Sequence, residues 1–506
     1  MRRLILPILL LLLLAAALPV HGEPVVSPEA GGELVTLEQA GVLATNFVAL
    51  TIHSKAQWGD SPTAEVAEVA PFRRGSRLLG YFCRIEPRGY IIVSLRRELS
   101  PVKAYSVRAS FAPEAEEEYV GIVKTQMESI LDAVEREVGP LVSASSDDLV
   151  RFLSTDHRPT WEQLSQDPAV FQRALDSGTL ALTDAERVLP VTSTWDGESP
   201  FNAQCPYSPE CDPYRWRYPA GCVAVAAAQI MRYWAWPPYG VGSPYNDFYD
   251  WPNMLDEYTD PYTPTQGDAV AELCFEAGRA AATDYGCDGS DAWVGGRPGA
   301  DMTDAFKSVF RYSDSVDFEQ RWHIGDDDWF NIIKGDIDNN QPLQYAFLWG
   351  DSSPPGWSVG GKASHSMVCD GYRIVGSQRF FHMNYGWGET CRWDDITEIS
   401  GAEGVIRHIR PAPSLGSTLT NFTYSAPAFP YRYLMQNTTG SNVTFDAGHY
   451  LQFLSGVKLT CVGTRIAVYG WSDHNTRLFT EASWAQGIRV HSGHLYLYNG
   501  GSIRLH

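Results

Sequence analysis

The chain has 506 residues, 44% hydrophobic and 12% aromatic, with a formal charge of −21 at pH 7. That length exceeds what one core serves, so two or three domains are expected, and the apolar and aromatic content excludes a disordered chain. The acidic balance excludes nucleic-acid binding, which needs a basic stripe, and suits solubility outside a cell.

Met1-Arg2-Arg3 followed by the apolar run Leu4–Leu18, then Pro19 and Val20-His21-Gly22, has the pattern of a secretory leader cleaved after Gly22. The run is short for a membrane anchor and contains Pro7. No later apolar run is long enough to cross a membrane, so no span is expected once residues 1–22 are removed. Leu37 to Ile52 has helical periodicity, and strand-like runs follow at 78–82, 89–94 and 101–106. Residues 115–138 read as an amphipathic helix whose Glu116-Glu117-Glu118 start suits a helix N-terminus. Residues 139–188 are polar and mixed, with a Ser/Asp cluster at 143–148, and read as a connector and the place for an activating cleavage.

Gly221-Cys222-Val223-Ala224-Val225-Ala226-Ala227-Ala228-Gln229-Ile230-Met231 opens a buried helix that stops at Pro237-Pro238. A cysteine on a first helical turn sits at the positive end of the dipole, which favours the nucleophilic thiolate. His365, in strand-like 364–370, and Asn384, beside Tyr385-Gly386-Trp387-Gly388, follow in chain order. Helices near 267–282 and 300–311 and strands near 343–349, 364–370 and 379–385 make this stretch an α+β mixture. Beyond Pro411, residues 418–506 carry almost no helix signal and recurrent glycines, which suggests a small all-β appendage, either a sandwich or a piece of β-solenoid.

Gly221-Cys222-Val223-Ala224, Ala228-Gln229-Ile230-Met231-Arg232-Tyr233, Trp236-Pro237, the His365–Gly371 strand and Asn384-Tyr385-Gly386-Trp387-Gly388 together resemble the streptopain family of secreted papain-like cysteine peptidases. The likeness covers roughly residues 30–411. It implies an α+β, papain-like fold preceded by a small α+β propeptide and followed by a small all-β domain. The expected divisions are 1–22 leader, 23–188 inhibitory propeptide and connector, 189–411 catalytic domain and 412–506 appendage. It implies a zymogen that hydrolyses peptide bonds with no cofactor and no metal. Its expected partners are protein or peptide substrates and its own propeptide as inhibitor. Cys222 would be the nucleophile, His365 the base and then the acid, and Asn384 the orienter of His365. Tyr385, where relatives carry an aromatic, would shield the histidine, and Trp387 would cap the Gly-rich turn. Relatives place an oxyanion glutamine where Pro200-Phe201-Asn202 aligns Gly197; Gln204 is the nearby substitute, and the backbone N–H of Cys222 is a donor that needs no side chain. Asp284-Tyr285-Gly286 and 289–299 would line the substrate pocket.

Rival patterns are weaker. Gly356-Trp357-Ser358-Val359-Gly360 lacks the strand before and helix after it that a serine nucleophile elbow needs. Cys205, Cys211, Cys222, His365 and Cys369 lack paired zinc-ligand spacing. Asp326-Asp327-Asp328 reads as a helix start or solvated turn rather than a calcium loop. Of nine cysteines, Cys205–Cys211 and Cys274–Cys287 are possible bridges, and the odd number leaves Cys222 as a free thiol. A non-catalytic exported binding protein on the same fold, and a transferase or amidase using the same Cys–His chemistry, are the alternative functions.

Overall fold

The computed structural model describes residues 34–411 apart from breaks at 117, 209–216, 238, 259–260, 288, 323, 349–356, 360–363, 389–390 and 396–401, and beyond 417 the backbone of short strands only. The leader (1–22), Cys211, Gly360-Gly361 and the linker at 412–414 lie outside the described residues. No described helix is long and apolar enough to cross a membrane.

The N-terminal unit starts with helix Leu37–Lys55, whose Thr36/Gln39 capping box satisfies its first N–H groups. Four antiparallel strands follow, Glu65–Arg74, Arg77–Glu86, Tyr90–Val93 and Val102–Ser106, and then helix Glu118–Glu137. The stretch read as a polar connector instead contains three short helices, Ser146–Leu153, Arg158–Leu164 and Pro168–Asp176. Their buried residues Leu149, Trp161, Leu164, Phe171 and Leu175 join the same core as Phe47, Ile91 and Tyr105. Short helices bury few side chains each, so their periodicity is faint, while the Ser145 and Asp167 caps hold their starts.

This unit does not stand apart. Among the described residues one 11-stranded sheet runs through both halves of the molecule. Val102–Ser106 pairs with Cys391–Asp395 through Tyr105–Trp393 and Ala104–Asp394. The sheet continues through Gln378–Asn384 to Ser364–Val375, then Leu343–Leu348, Ala402–Arg407 and Asp317–Gln320. Strand Asp184–Val188 pairs with the far half of Ser364–Val375, from Asp184–Val375 to Val188–Gly371. The 188/189 division expected from sequence therefore falls at the end of a strand that belongs to the catalytic sheet.

Helix Cys222–Trp234 packs on this sheet and is buried along nearly its whole length. Val225, Ile230 and Met231 each contribute about 1.5–3 kcal/mol by leaving water. Helix Pro264–Ala280 covers its other side, while Asp326–Asp338 covers the opposite sheet face with Trp329, Phe330, Ile333 and Ile337. The Asp326-Asp327-Asp328 run is therefore the first turn of a helix. Beyond the catalytic unit, Thr418 is in parallel register with Thr439 and Thr439 with Thr460, a repeat of about 21 residues. Thr423, Thr444 and Ala467 are aligned in the same way. Two later pairings are antiparallel instead, Leu451 with Leu495 and Ala467 with Ser502.

Candidate active site

Gly221 caps the nucleophile helix with φ 90°, and a Cβ there would lie 2.8 Å from the Ser290 carbonyl oxygen. Only glycine turns the chain into the helix at this point. Cys222, the first helical residue, is partly exposed. The backbone N–H of Ser366 donates to its sulfur, so the thiol lies against the strand position next to His365. Desolvation pushes the Cys222 thiol up to about 11; Asp291 raises it further, and the N–H groups of Ser366, Val223 and Cys222 act the other way. The helix start does not outweigh desolvation here, contrary to the expectation of a thiolate.

His365 is buried in the strand Ser364–Val375, opposite Phe347. Its Nε2 lies 2.7 Å from the Tyr385 carbonyl oxygen. A carbonyl only accepts, so Nε2 carries the proton, and in the neutral ring Nδ1 is the basic nitrogen. Tyr385 stacks on the imidazole at 5.6 Å between centroids, and Trp387 lies 4.3 Å away on a tilted ring. The Tyr385 hydroxyl donates to Asp394 at 2.7 Å, which fixes the shield from behind.

Asn384 does not orient His365 through its side chain. Its Nδ2 donates to the Ser193 carbonyl at 2.8 Å and to Gln229 Oε1 at 2.9 Å, while its Oδ1 accepts from the Gly386 N–H at 3.0 Å. It serves the turn instead. That turn needs Gly386 at φ 70°, with Val225 of the nucleophile helix 3.1 Å from a Cβ placed there. Orientation of the imidazole passes to the carbonyl of the next residue.

Gln229 is a site residue whose role sequence reasoning missed. Fully buried on the nucleophile helix, its Oε1 also accepts from the Trp195 N–H at 3.3 Å. It ties together the helix, the segment 193–195 and the Asn384 turn. A lone amide in an Ala-rich apolar helix was its visible signal. Gln344 is a second such amide, donating at 3.0 Å to both the Val223 carbonyl and Ser366 Oγ, and so joining the helix start to the histidine strand.

Gly197 lies against the chain that leads to Cys222. Its carbonyl accepts from Ala220 N–H at 2.9 Å, and a Cβ there would lie 3.9 Å from the nitrogens of Ala220 and Gly221. Gln204 is exposed in the turn that follows. Within the stretches expected to line the substrate pocket, Ser290 and Asp291 lie beside the start of the nucleophile helix. Ser290 Oγ donates to the Pro219 carbonyl at 2.7 Å, Asp284 and Asp291 form a bridge, and Ala292–Gly295 pairs with Trp357–Val359. Ser358 is thus in a strand, not on a nucleophile elbow. The expected cysteine bridges do not form: Cys205 and Cys274 are free, while Cys287 is bonded to another partner.

The buried helix that begins with Cys222 thus lies against the strand that carries His365, with Tyr385 and Trp387 beside the imidazole. Residues 195–392 match the Peptidase C10 family. The likeness to the streptopain family holds beyond that stretch. Streptopain of Streptococcus pyogenes serotype M1 is 25% identical over 350 residues, covering 64% of this chain and 76% of the relative. Thiol protease/hemagglutinin PrtT of Porphyromonas gingivalis is 24% identical over 210 residues, 38% of this chain and 22% of its own length. Among solved structures, a prointerpain A fragment from Prevotella intermedia is 20% identical with a TM-score of 0.49, covering 68% of this chain and 99% of that one. Active interpain A is 26% identical with a TM-score of 0.36, covering 44% and 94%.

Proposed function

We propose that this chain is the precursor of a secreted cysteine endopeptidase that cleaves protein or peptide substrates. The observation that carries the reading is the meeting of Cys222 with the histidine strand: the thiol accepts from Ser366 N–H, while the neighbouring His365 is held by its Nε2 proton with Nδ1 as the base. His365 would take the thiol proton and return it to the leaving amine, leaving a thioester that water hydrolyses. The backbone N–H of Cys222 would stabilise the oxyanion, with no side-chain donor contributed by Gly197.

The N-terminal unit is proposed to keep the precursor silent. Its Ile122 shares an apolar cluster with Phe347 and Tyr385, which both lie against the His365 ring. Export rests on the leader pattern of residues 1–22.

The test is hydrolysis of a general protein substrate by wild type and Cys222→Ala, before and after limited proteolysis. Thiol-dependent activity that appears on processing and is absent from the variant is expected. Near-normal hydrolysis by Cys222→Ala would overturn the assignment. Gly197 favours a second reading, a non-catalytic exported binding protein. Failure of the processed protein to react with a thiol-directed peptide probe would support it.

A further inference from the structure

We infer that Gln344 is a positioning residue for the proposed reaction: its amide spans the gap between the nucleophile helix and the histidine strand and fixes how Cys222 is seated against Ser366 and His365. This rests on the peptidase reading above and adds to it a residue that acts through its neighbours.

Strand Leu343–Leu348 lies inside the sheet, with every residue buried. Gln344 stands in register with Val368 on one side and Ile406 on the other, and Ala346 and Leu348 follow it on the face turned to the nucleophile helix. Such a position calls for an aliphatic side chain. It holds instead an amide that is fully buried and only half satisfied. Nε2 donates twice, while among the described residues no group donates to Oε1. An unpaired buried acceptor is a net cost to folding, and residues that keep such a cost are expected where function is placed.

The two bonds from Nε2 point to what that function is. Both are 3.0 Å long, one to the carbonyl of Val223, the second residue of the helix, and one to Ser366 Oγ on the histidine strand. The residues just before these partners are the reacting groups, Cys222 and His365. The N–H groups of Ser366, Val223 and Cys222 act on the Cys222 sulfur. Those of Val223 and Cys222 belong to the helix and move with it, whereas that of Ser366 belongs to the strand. Only the Ser366 donor depends on how the helix is seated on the sheet. The rest of the seam is apolar, with Ala346 and Val368 in one cluster with Val223, Ala224 and Ala227 of the helix, and apolar contact sets no direction. The Gln344 amide supplies the direction. It holds the Ser366 N–H against the sulfur, and the imidazole one residue away shares that seating.

The test replaces the polar crossing by apolar groups, Gln344→Leu together with Ser366→Ala, and sets it beside wild type. Stability is read by urea unfolding of the full chain. After limited proteolysis, kcat and KM are read on a short fluorogenic peptide, and the pH midpoint of iodoacetamide labelling is read at the Cys222 peptide. Val223 keeps its helical bond from Ala227 in the double variant, so no buried group is stranded and the unfolding midpoint should equal or exceed that of wild type. A misplacement of about 1 Å costs about a hundredfold in rate, so a seam that has lost only its direction should lose about tenfold in kcat. KM should stay within about twofold, because no substrate contact is removed. The labelling midpoint should rise by about half a pH unit as the Ser366 N–H drifts from the sulfur. Gln344→Met alone, which keeps the volume of the side chain, should lower kcat and raise the midpoint in the same way. An unchanged kcat or an unmoved midpoint in both variants overturns the proposal. So does a loss of kcat that comes with a loss of stability in both, which is what a merely structural amide gives. If processed wild type cleaves no peptide, the peptidase reading falls, and the labelling midpoint still decides whether Gln344 seats the thiol.

Discussion

The raised Cys222 thiol yields a measurable consequence. A thiol at about 11 rather than 9.0 holds about a hundredfold less thiolate at pH 7. The more basic thiolate regains about a factor of ten through its greater nucleophilicity, so alkylation of the precursor should be about tenfold slower than that of an ordinary thiol. Its rate should still be climbing above pH 9. Loss of the N-terminal unit should lower the midpoint, because Ile122 leaves the cluster beside the His365 ring and a thiolate–imidazolium pair can form. The assay is iodoacetamide labelling from pH 5 to 11, read at the Cys222 peptide, since buried Cys83 and Cys205 are also free. The midpoint is the readout, because restricted access slows all pH values alike. A precursor midpoint below about pH 8, or no drop after processing, would refute the reasoning.

Gln229→Leu should cost about 1–3 kcal/mol for each of the two donors it strands, Trp195 N–H and Asn384 Nδ2, in urea unfolding of the Cys222→Ala background. Asn384→Ala should lower stability by a similar amount yet leave the pH midpoint of kcat/KM unmoved, because the imidazole is held by the Tyr385 carbonyl; a shifted midpoint would restore Asn384 as orienter. Arg373→Met should destabilise the precursor by about 3–5 kcal/mol by unpairing Asp184, and Arg373→Lys should rescue little, since an ammonium cannot make the forked contact. Burial, then Asp247 and Glu276, pushes Glu272 up to about 7 from 4.5. The folded chain then binds extra proton between those values, so stability is fully present below about 4.5 and falls as pH rises through 7. Glu272→Gln should flatten that slope in melting curves taken at pH 5 and 8.

Where local pattern carries the information, sequence and structure agree. The Ala-rich run after Gly221 can only be a buried helix, so Cys222 at its start was legible, as was His365 in a strand whose residues are buried on both faces. The lone amide at 229 was visible too, though its partners were not. Short helices between 146 and 176 escaped notice because each buries only one to three side chains.

Other features depend on pairings that no local pattern encodes. Arg373 meets Thr51 across 322 residues of chain, and Tyr105 meets Trp393 across the sheet that joins the two units. Thiol protonation follows from how much water neighbouring segments remove, a property of the assembled site. The carbonyl that holds His365 is invisible to residue identity, since every residue has one. The sequence by itself therefore determined which side chains carry the proposed chemistry, through short-range periodicity and residue type. Only the tertiary structure decided which atoms orient them and which segments pair in the sheet, because desolvation and strand pairing are set by segments distant along the chain.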